Sequence, residues 1–116
     1  MLYEAYPIYI FIVISFIHWF ADFFAQSHWM ASNKSKSNKA LALHILAYTS
    51  ILTLAFGPIY GVVNGLLHWV TDYFTSRATS KLHAKGDIHN FFVVIGADQF
   101  LHMAALFLTI PLICWV

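Results

Sequence analysis

Three long stretches of the 116-residue chain are almost free of charged side chains. Residues 5–33 contain only the charge of Asp22, residues 40–70 contain none, and residues 88–116 contain only that of Asp98. A helix that crosses a bilayer needs about 20 mostly apolar residues, whereas a soluble bundle needs polar groups along one face of every helix. The stretches therefore predict an all-α membrane protein.

The composition agrees with this prediction and narrows the functional classes. Hydrophobic residues make up 60% of the chain and charged residues 9%, where a soluble domain has about 25% charged residues. The length predicts a single integral membrane domain over residues 1–116. The net charge of +1 gives no reason to expect nucleic-acid binding, and the single cysteine, Cys114, excludes an internal disulfide and a cysteine-based zinc site.

Turn signals divide the apolar stretches into four predicted helical spans. They cover approximately residues 6–26, 39–56, 59–75 and 89–112. Gly57-Pro58 separates the second span from the third, because glycine readily ends a helix and proline cannot continue one. A membrane β-barrel is a poor alternative, because residues 11–24 are apolar at both odd and even positions and lack the alternation of polar and apolar residues in barrel strands.

The basic residues predict the orientation of the chain in the membrane. All six lysines and arginines fall in two connectors, one after the first span and one after the third. Two connectors separated by two spans lie on the same side, and the positive-inside rule places that side in the cytoplasm. We therefore expect a multi-pass protein with cytoplasmic basic connectors and both termini outside.

An internal repeat predicts how the spans are grouped. The segment HWFADFF at residues 18–24 is similar to HWVTDYF at residues 68–74, and a basic connector follows each copy. Two similar helical hairpins in parallel orientation are the simplest interpretation. We therefore predict a polytopic four-helix bundle in which the two copies meet around a pseudo-twofold axis along the membrane normal.

The predicted spans contain a set of histidines and aspartates with informative spacing. Three His/Asp pairs are separated by four residues, which places both members of each pair on one helix face. Imidazole nitrogen and carboxylate oxygen suit a divalent metal, zinc first, with iron and manganese as alternatives. The predicted ligands of one or two such ions are His18, Asp22, His68, Asp72, Asp98 and His102. His44, in the remaining helix, is predicted to act as a general base or as a further ligand.

Two interpretations without a metal remain open for these residues. An aspartate at mid-membrane costs about 2.5–3.5 kcal/mol on insertion scales, so the three carboxylates need partners of some kind. Histidines can provide them through hydrogen bonds between helices, which would make the pairs purely structural. Alternatively, a chain of Asp and His side chains can carry protons or ions.

The basic connectors have two candidate roles. Their charges can fix the topology and attract anionic lipid, or they can bind a phosphate group at the rim of the polar cluster through charge-assisted hydrogen bonds. A helix that continued past the third span would align three of these residues as one stripe, because they repeat every four positions. The predicted substrate-binding residues are Lys34, Lys36, Arg77, Lys81 and Lys85.

Three runs of the sequence carry a resemblance to a known family: HWFADFFAQSHWMASNKSKS, HWVTDYFTSRATSKL and HNFFVVIGADQFLH. They resemble a small integral-membrane family of bacteria and phages known as domain of unknown function 3307. The resemblance implies a helical membrane protein and assigns no activity. A shorter resemblance, limited to HxxxD on hydrophobic helices, is to membrane-bound metal-dependent hydrolases. The pattern of the first of these families, domain of unknown function 3307, corresponds to His18, Asp22, Gln26, Lys34, His44, His68, Asp72, His89, Asp98, Gln99 and His102.

Together these features predict a metal-dependent membrane hydrolase that acts at the cytoplasmic leaflet. Its expected substrate is anionic or phosphate-bearing, such as an anionic lipid or a phosphate ester, and a homo-oligomer is plausible because so small a bundle has little interior. Two alternatives use the same residues. One is a pathway for protons or metal ions, and the other is a non-catalytic accessory membrane protein of a phage or bacterium.

Overall fold

The computed structural model describes residues 5–116, and within this range the chain forms helices and no strand. The all-α prediction is therefore confirmed. The α-helices are α1 (Ile8–Trp19), α2 (His28–Asn33), α3 (Asn38–Phe56), α4 (Pro58–Ala84) and α5 (Ile88–Leu108). Helix α1 continues into a π-helical turn at Phe20–Phe24, and a short 3-10 turn, Ile110–Leu112, follows α5.

Local sequence explains where these helices begin and end. The hydroxyl of Ser37 accepts a hydrogen bond from the backbone N–H of Ala40 at the start of α3, as the carboxylate of Asp87 does from Asn90 at the start of α5. The turn expected at Gly57-Pro58 is present. Gly57 has φ +98°, which favours glycine, and Pro58 occupies the first position of α4, where no N–H is needed.

The long helices form an antiparallel bundle with two chemically different ends. Helix α4 packs between α3 and α5, while α1 packs on α3 and touches α5 more lightly. The connectors that carry the lysines and arginines lie together at one end, here called the basic end. At the other end, the Gly57 end, the N–H of Cys114 donates to the carbonyl of Phe56.

The bundle encloses a group of polar side chains and exposes many large apolar ones. The buried polar side chains are His18, Asp22, His44, Asn64, His68, Asp72, Ser76 and His102. By contrast, Leu54 is 89% exposed, Phe100 is 70% exposed and Phe74 is 67% exposed. Helices α3 and α5 are long and apolar enough to cross a membrane, and Ile8–Phe24 is a shorter apolar segment.

The observed helices differ from the predicted spans in two places. The third span was expected to end near residue 75, but α4 continues to Ala84, so a rigid helix carries Arg77 and Lys81 beyond the apolar segment. The fourth span was expected to reach residue 112, but α5 ends at Leu108 because Pro111 follows and the chain turns. The apolar content of a helix reflects what surrounds it. The length of the helix depends instead on where the sequence contains a residue that ends a helix.

Two glycines allow α3 and α4 to approach each other closely. A Cβ atom added at Gly61 would collide with Thr53, and one added at Gly65 would collide with Oγ1 of Thr49. This is the small-xxx-small spacing that brings helix backbones together in membranes. Because α4 carries two of the buried charged side chains, this contact determines how far they reach toward α3.

We expect Gly65→Ala to destabilise the protein by about 1–3 kcal/mol, since the added methyl group has to displace Thr49. The free energy of unfolding in detergent micelles measures this effect. Gly96→Ala in α5 is the matched control, because nothing lies within 4 Å of an added Cβ there. It should leave stability unchanged or raise it by up to about 1 kcal/mol. Equal effects of the two substitutions would show that the α3–α4 contact tolerates a larger separation.

Candidate metal centre

All four long helices direct histidine or aspartate side chains into the bundle. The side chains at positions 18, 22, 44, 68, 72 and 102 are each at most 3% exposed, and Asp98 is half-buried. The two copies of the internal repeat meet there, because the ring centroids of His18 and His68 are 6.3 Å apart. The structure therefore brings together His44 and all six members of the three His/Asp pairs.

Four of these side chains converge on one point. Nε2 of His44 lies 3.1 Å from Oδ1 of Asp22 and 3.4 Å from Oδ2 of Asp72. Nε2 of His68 lies 3.3 Å from each of the same two oxygens. The two Nε2 atoms are 3.1 Å apart. A tetrahedral zinc site with bonds of about 2.0–2.1 Å has ligand atoms about 3.3–3.4 Å apart, so the spacing fits such an ion.

Hydrogen bonding alone does not satisfy this group of atoms. An Nε2 atom carries at most one hydrogen, yet the Nε2 atoms of His44 and His68 each face three electron-rich neighbours. The Nδ1 atoms of both rings are buried and have no hydrogen-bond partner within residues 5–116. A divalent cation shared by the two nitrogens and the two oxygens would satisfy all four together, so the cluster could hold a metal.

The π-helical turn at Phe20–Phe24 positions Asp22. Its carboxylate is 3% exposed and reaches the cluster, while the neighbouring Phe23 and Phe24 remain on the outside. Such single π-turns widen a helix locally and occur frequently at functional sites. Here the turn directs Asp22 into the bundle from the end of α1, where the chain is about to leave the helix.

A second group of side chains adjoins the first on the side of α5. Nε2 of His102 lies 3.1 Å from Oδ1 of Asp72 and 3.1 Å from Oδ2 of Asp98. The amide nitrogen of Gln99 donates to Oδ2 of Asp98 at 3.1 Å and to Oδ2 of Asp22 at 3.2 Å. Each of Asp22 and Asp72 thus offers one oxygen to the first group and its other oxygen to this second group.

His18 lies outside both groups. Its ring nitrogens pair with the hydroxyl of Tyr48 and with the amide oxygen of Gln99, each at 2.9 Å. Nε2 of His18 is 3.6 Å from Asp22, longer than a hydrogen bond. The geometry places His44 among the candidate ligands and gives His18 a supporting position, where it orients Gln99.

Stacked rings hold the histidines in place. The ring of Tyr48 stacks on His68 with centroids 4.0 Å apart, and the rings of His68 and His102 stack at 3.8 Å with an angle of 12° between planes. Tyr48 was not among the candidate residues from the sequence. The available signal was its position four residues after His44, on the same face of α3.

Lys34 brings a positive charge to the cluster. It ends α2, its Nζ donates to Oδ2 of Asp72 at 3.0 Å, and its side chain is 20% exposed. Burial alone would lower the pKa of this ammonium group, but the charges of Asp72 and Asp22 and the hydrogen bond to Asp72 outweigh burial and raise the pKa above its usual value. Lys34 therefore stays positively charged at physiological pH.

A cavity of about 530 Å³ connects the cluster to the basic end. Its inner wall contains Asp22, Asp72 and Asp98, and Lys34 lies on its side. The remaining wall is rich in hydroxyl groups, which come from Ser32, Ser35, Thr75, Ser76, Thr79 and Ser80. The cavity therefore gives a polar molecule access to the carboxylates from one end of the bundle.

Of the five basic residues expected to bind substrate, only Lys34 lines this cavity. Lys36, Lys81 and Lys85 are exposed at the surface. Arg77 lies with its guanidinium 3.7 Å from the ring centre of Tyr73 and donates to Asn38. For these four residues both roles, in topology and lipid attraction and in substrate binding, stay predictions.

Two further polar groups line the cavity without a partner. Oε1 of Gln26 and Oγ of Ser76 are buried and have no hydrogen-bond partner within residues 5–116. They occupy equivalent positions in the two repeats, because each follows the repeat aspartate by four residues. The repeat spacing was the sequence signal that could have identified Ser76.

Comparison with known sequences identifies the family. A profile of the family described as "Protein of unknown function (DUF3307)" matches residues 10–116. The chain therefore belongs to this family, and the resemblance seen in the sequence is confirmed. Comparison with curated proteins and with solved structures finds no match, so the hydrolase resemblance gains no support from a named relative.

Proposed function

We propose that this member of the DUF3307 family is a multi-pass membrane protein with an intramembrane metal centre, and that it acts as a metal-dependent hydrolase at the cytoplasmic leaflet. One observation carries the proposal. The Nε2 atoms of two imidazoles lie 3.1 Å from each other and 3.1–3.4 Å from the same two carboxylate oxygens, in the interior of a bundle whose surface is apolar. The proposed ligands are Asp22, His44, His68 and Asp72.

The apolar surface and the dimensions of the bundle support the membrane location. The bundle is 45 Å long, close to the 40–45 Å of a bilayer with its headgroup regions. Helices α3 and α5 supply two spans, and we propose that α1 with its π-turn and the first part of α4 supply the other two. In this topology the basic end is cytoplasmic, the Gly57 end is outside, and both termini lie outside.

The donor atoms favour zinc as the metal. Two nitrogen and two oxygen ligands at tetrahedral spacing suit zinc, whereas calcium and magnesium prefer six or more oxygen ligands. Iron and manganese accept the same donors and are the alternatives. If one coordination position stays open to water, such an ion would lower the pKa of the bound water molecule to about 7, which would make hydroxide available at neutral pH.

The protein's own residues would bind and orient the substrate. Lys34 places a permanent positive charge beside Asp72 at the wall of the cavity, where it can hold the anionic group of a substrate. The unpartnered hydroxyl of Ser76 can donate a hydrogen bond to the same group, and the unpartnered amide oxygen of Gln26 can accept one from a hydroxyl of the substrate. This arrangement favours a phosphate ester with a small polar head, presented by a lipid or free in the cytoplasm.

The apolar core beyond the cluster favours an enzyme over a transport pathway. Between the cluster and the Gly57 end, the interior is filled mainly by apolar side chains such as Ile14, Leu52 and Phe56, each at most 1% exposed. The buried Asn64 in this region donates to the carbonyl of Tyr60 and to the hydroxyl of Thr109. A path for protons or ions would need a continuous series of polar groups through this region. The cavity instead opens toward the basic end, as a substrate site needs.

Hydrolysis of a lipid phosphate tests the proposal. We expect zinc-loaded protein in detergent micelles to release inorganic phosphate from short-chain phosphatidic acid, and we expect chelation to stop the reaction and added zinc to restore it. Lys34→Gln should raise KM by about tenfold or more, because it removes a charge-assisted hydrogen bond. Lys36→Gln is the matched control, since that lysine is exposed and lies outside the cavity.

The result that would contradict the hydrolase is metal-loaded protein that releases no phosphate from lipid or water-soluble phosphate esters. If the same protein moved zinc or protons across proteoliposome membranes, the transport alternative would replace the enzyme. Equal KM values for the two lysine variants would instead remove Lys34 from the substrate site.

A further inference from the structure

We infer that the centre holds two metal ions, bridged by the carboxylates of Asp22 and Asp72. The inference rests on the proposed metal centre and goes beyond it by assigning a second ion to Asp98 and His102. Asp22, Asp98 and His102 each offer a ligand atom within 4.8 Å of the others, which is a second metal-capable group that shares Asp22 with the first. The geometry of the two shared carboxylates carries the argument.

Each shared carboxylate presents its two oxygens to different groups. Oδ1 of Asp22 faces the Nε2 atoms of His44 and His68, while Oδ2 of Asp22 is joined to Asp98 by the amide of Gln99. Asp72 is divided in the same way. Its Oδ2 faces His44 and His68, while its Oδ1 lies 3.1 Å from Nε2 of His102. Carboxylates that bridge in this manner suit two ions about 3.5–4 Å apart, as in two-metal hydrolytic sites.

The second group has the same mismatch of donors and acceptors as the first. Nε2 of His102 lies 3.1 Å from an oxygen of Asp72 and 3.1 Å from an oxygen of Asp98, but it carries at most one hydrogen. The other oxygen of Asp98 accepts a hydrogen bond from Thr75, which leaves Oδ2 directed at His102 and Gln99. A cation bound by His102 and the oxygens of Asp72 and Asp98 would satisfy all three.

Charge balance agrees with more than one cation. Asp22, Asp72 and Asp98 bring three negative charges into an apolar surrounding when ionised, and Lys34 is the one lysine or arginine within residues 5–116 that forms an ion pair with them. Two divalent ions with a shared hydroxide would give the centre a net charge of about +1, which would attract an anionic substrate. A single divalent ion with the same hydroxide would leave the centre with a net charge of about −1, which would repel an anionic substrate.

Metal stoichiometry in the intact, purified protein tests the inference. We expect elemental analysis after zinc saturation to find about two zinc ions per chain. Asp98→Asn combined with His102→Gln should leave about one, because these residues serve only the second ion, and His44→Gln combined with His68→Gln should also leave about one. Manganese-loaded protein provides a second readout, because two ions this close are magnetically coupled and give an electron paramagnetic resonance spectrum unlike that of an isolated ion.

The possible outcomes separate this inference from the proposed function. One zinc per chain in the wild type, unchanged in the Asp98/His102 variant, would overturn the two-metal centre and keep the single site. In that result the amide of Gln99 would satisfy Oδ2 of Asp22 and Oδ2 of Asp98 by hydrogen bonds, without a second ion. No bound metal in the wild type would overturn the proposed metal centre itself. Gel filtration and circular dichroism identify a variant that no longer folds. In that case the manganese spectrum of the wild type alone shows whether two coupled ions are present.

Discussion

Replacing Asp22 and Asp72 together by asparagine should remove essentially all bound metal from the protein. Both side chains belong to the four-residue group, and asparagine keeps their size while it removes the negative charge that holds a divalent cation. We expect the zinc affinity to fall by more than about 100-fold, measured by elemental analysis and by competition with a chelator of known affinity.

Asp87→Asn is the matched control for this experiment. It is the same chemical change, but Asp87 lies at the start of α5 in a connector and contacts Asn90 instead of the cluster. It should leave the metal content unchanged. Full metal content in the Asp22/Asp72 variant would place the metal elsewhere in the molecule, and equal loss in both variants would point to a general effect on folding.

Cysteine labelling from the two sides of the membrane should give an all-or-none difference between the two ends of the bundle. The single cysteine, Cys114, is exposed at the Gly57 end, which the proposed topology places outside. A membrane-impermeant maleimide added to intact cells should therefore label the wild-type protein. The matched variant carries Cys114→Ser and Lys36→Cys, which moves the thiol to an exposed position at the basic end. It should be labelled only after the membrane is opened.

The reverse labelling pattern would invert the topology and would place the cavity on the outer side. Equal labelling of both variants in intact cells would contradict the membrane-spanning arrangement. Carbonate extraction provides an independent measurement, since a protein with so apolar a surface should remain in the membrane fraction. These results depend only on topology, so they hold whether or not a metal is bound.

The all-α architecture was largely predictable because a chain with such long apolar stretches can bury its backbone polar groups in few ways. Long uncharged stretches, the Gly57-Pro58 turn and the confinement of basic residues to two connectors predict helices close to those observed. The end of α4 was not predictable from hydropathy, because residues 76–84 are polar yet contain no residue that ends a helix. The π-turn around Asp22 was also missed, since a single turn of this kind leaves no periodic signal in the sequence.

The sequence predicted which residues belong to the candidate site better than it predicted the role of each residue there. Spacing by four residues identifies which side chains share a helix face, and the structure brings those faces together. The spacing carries no information on how each helix is rotated about its axis relative to its neighbours. That rotation places His44 beside Asp22 and Asp72, and it turns His18 toward Tyr48 and Gln99. It also makes Lys34 the one connector lysine that reaches the carboxylates.

The metal-capable group is divided between the two halves of the chain. Residues before Gly57 supply Asp22 and His44, and residues after it supply His68 and Asp72, so each hairpin provides two of the four donors of this group. A metal ion bound by these four residues would therefore report the association of the hairpins and not the folding of either one. If the two halves were produced as separate fragments, the bound metal would hold them together, and their association would depend on the metal concentration.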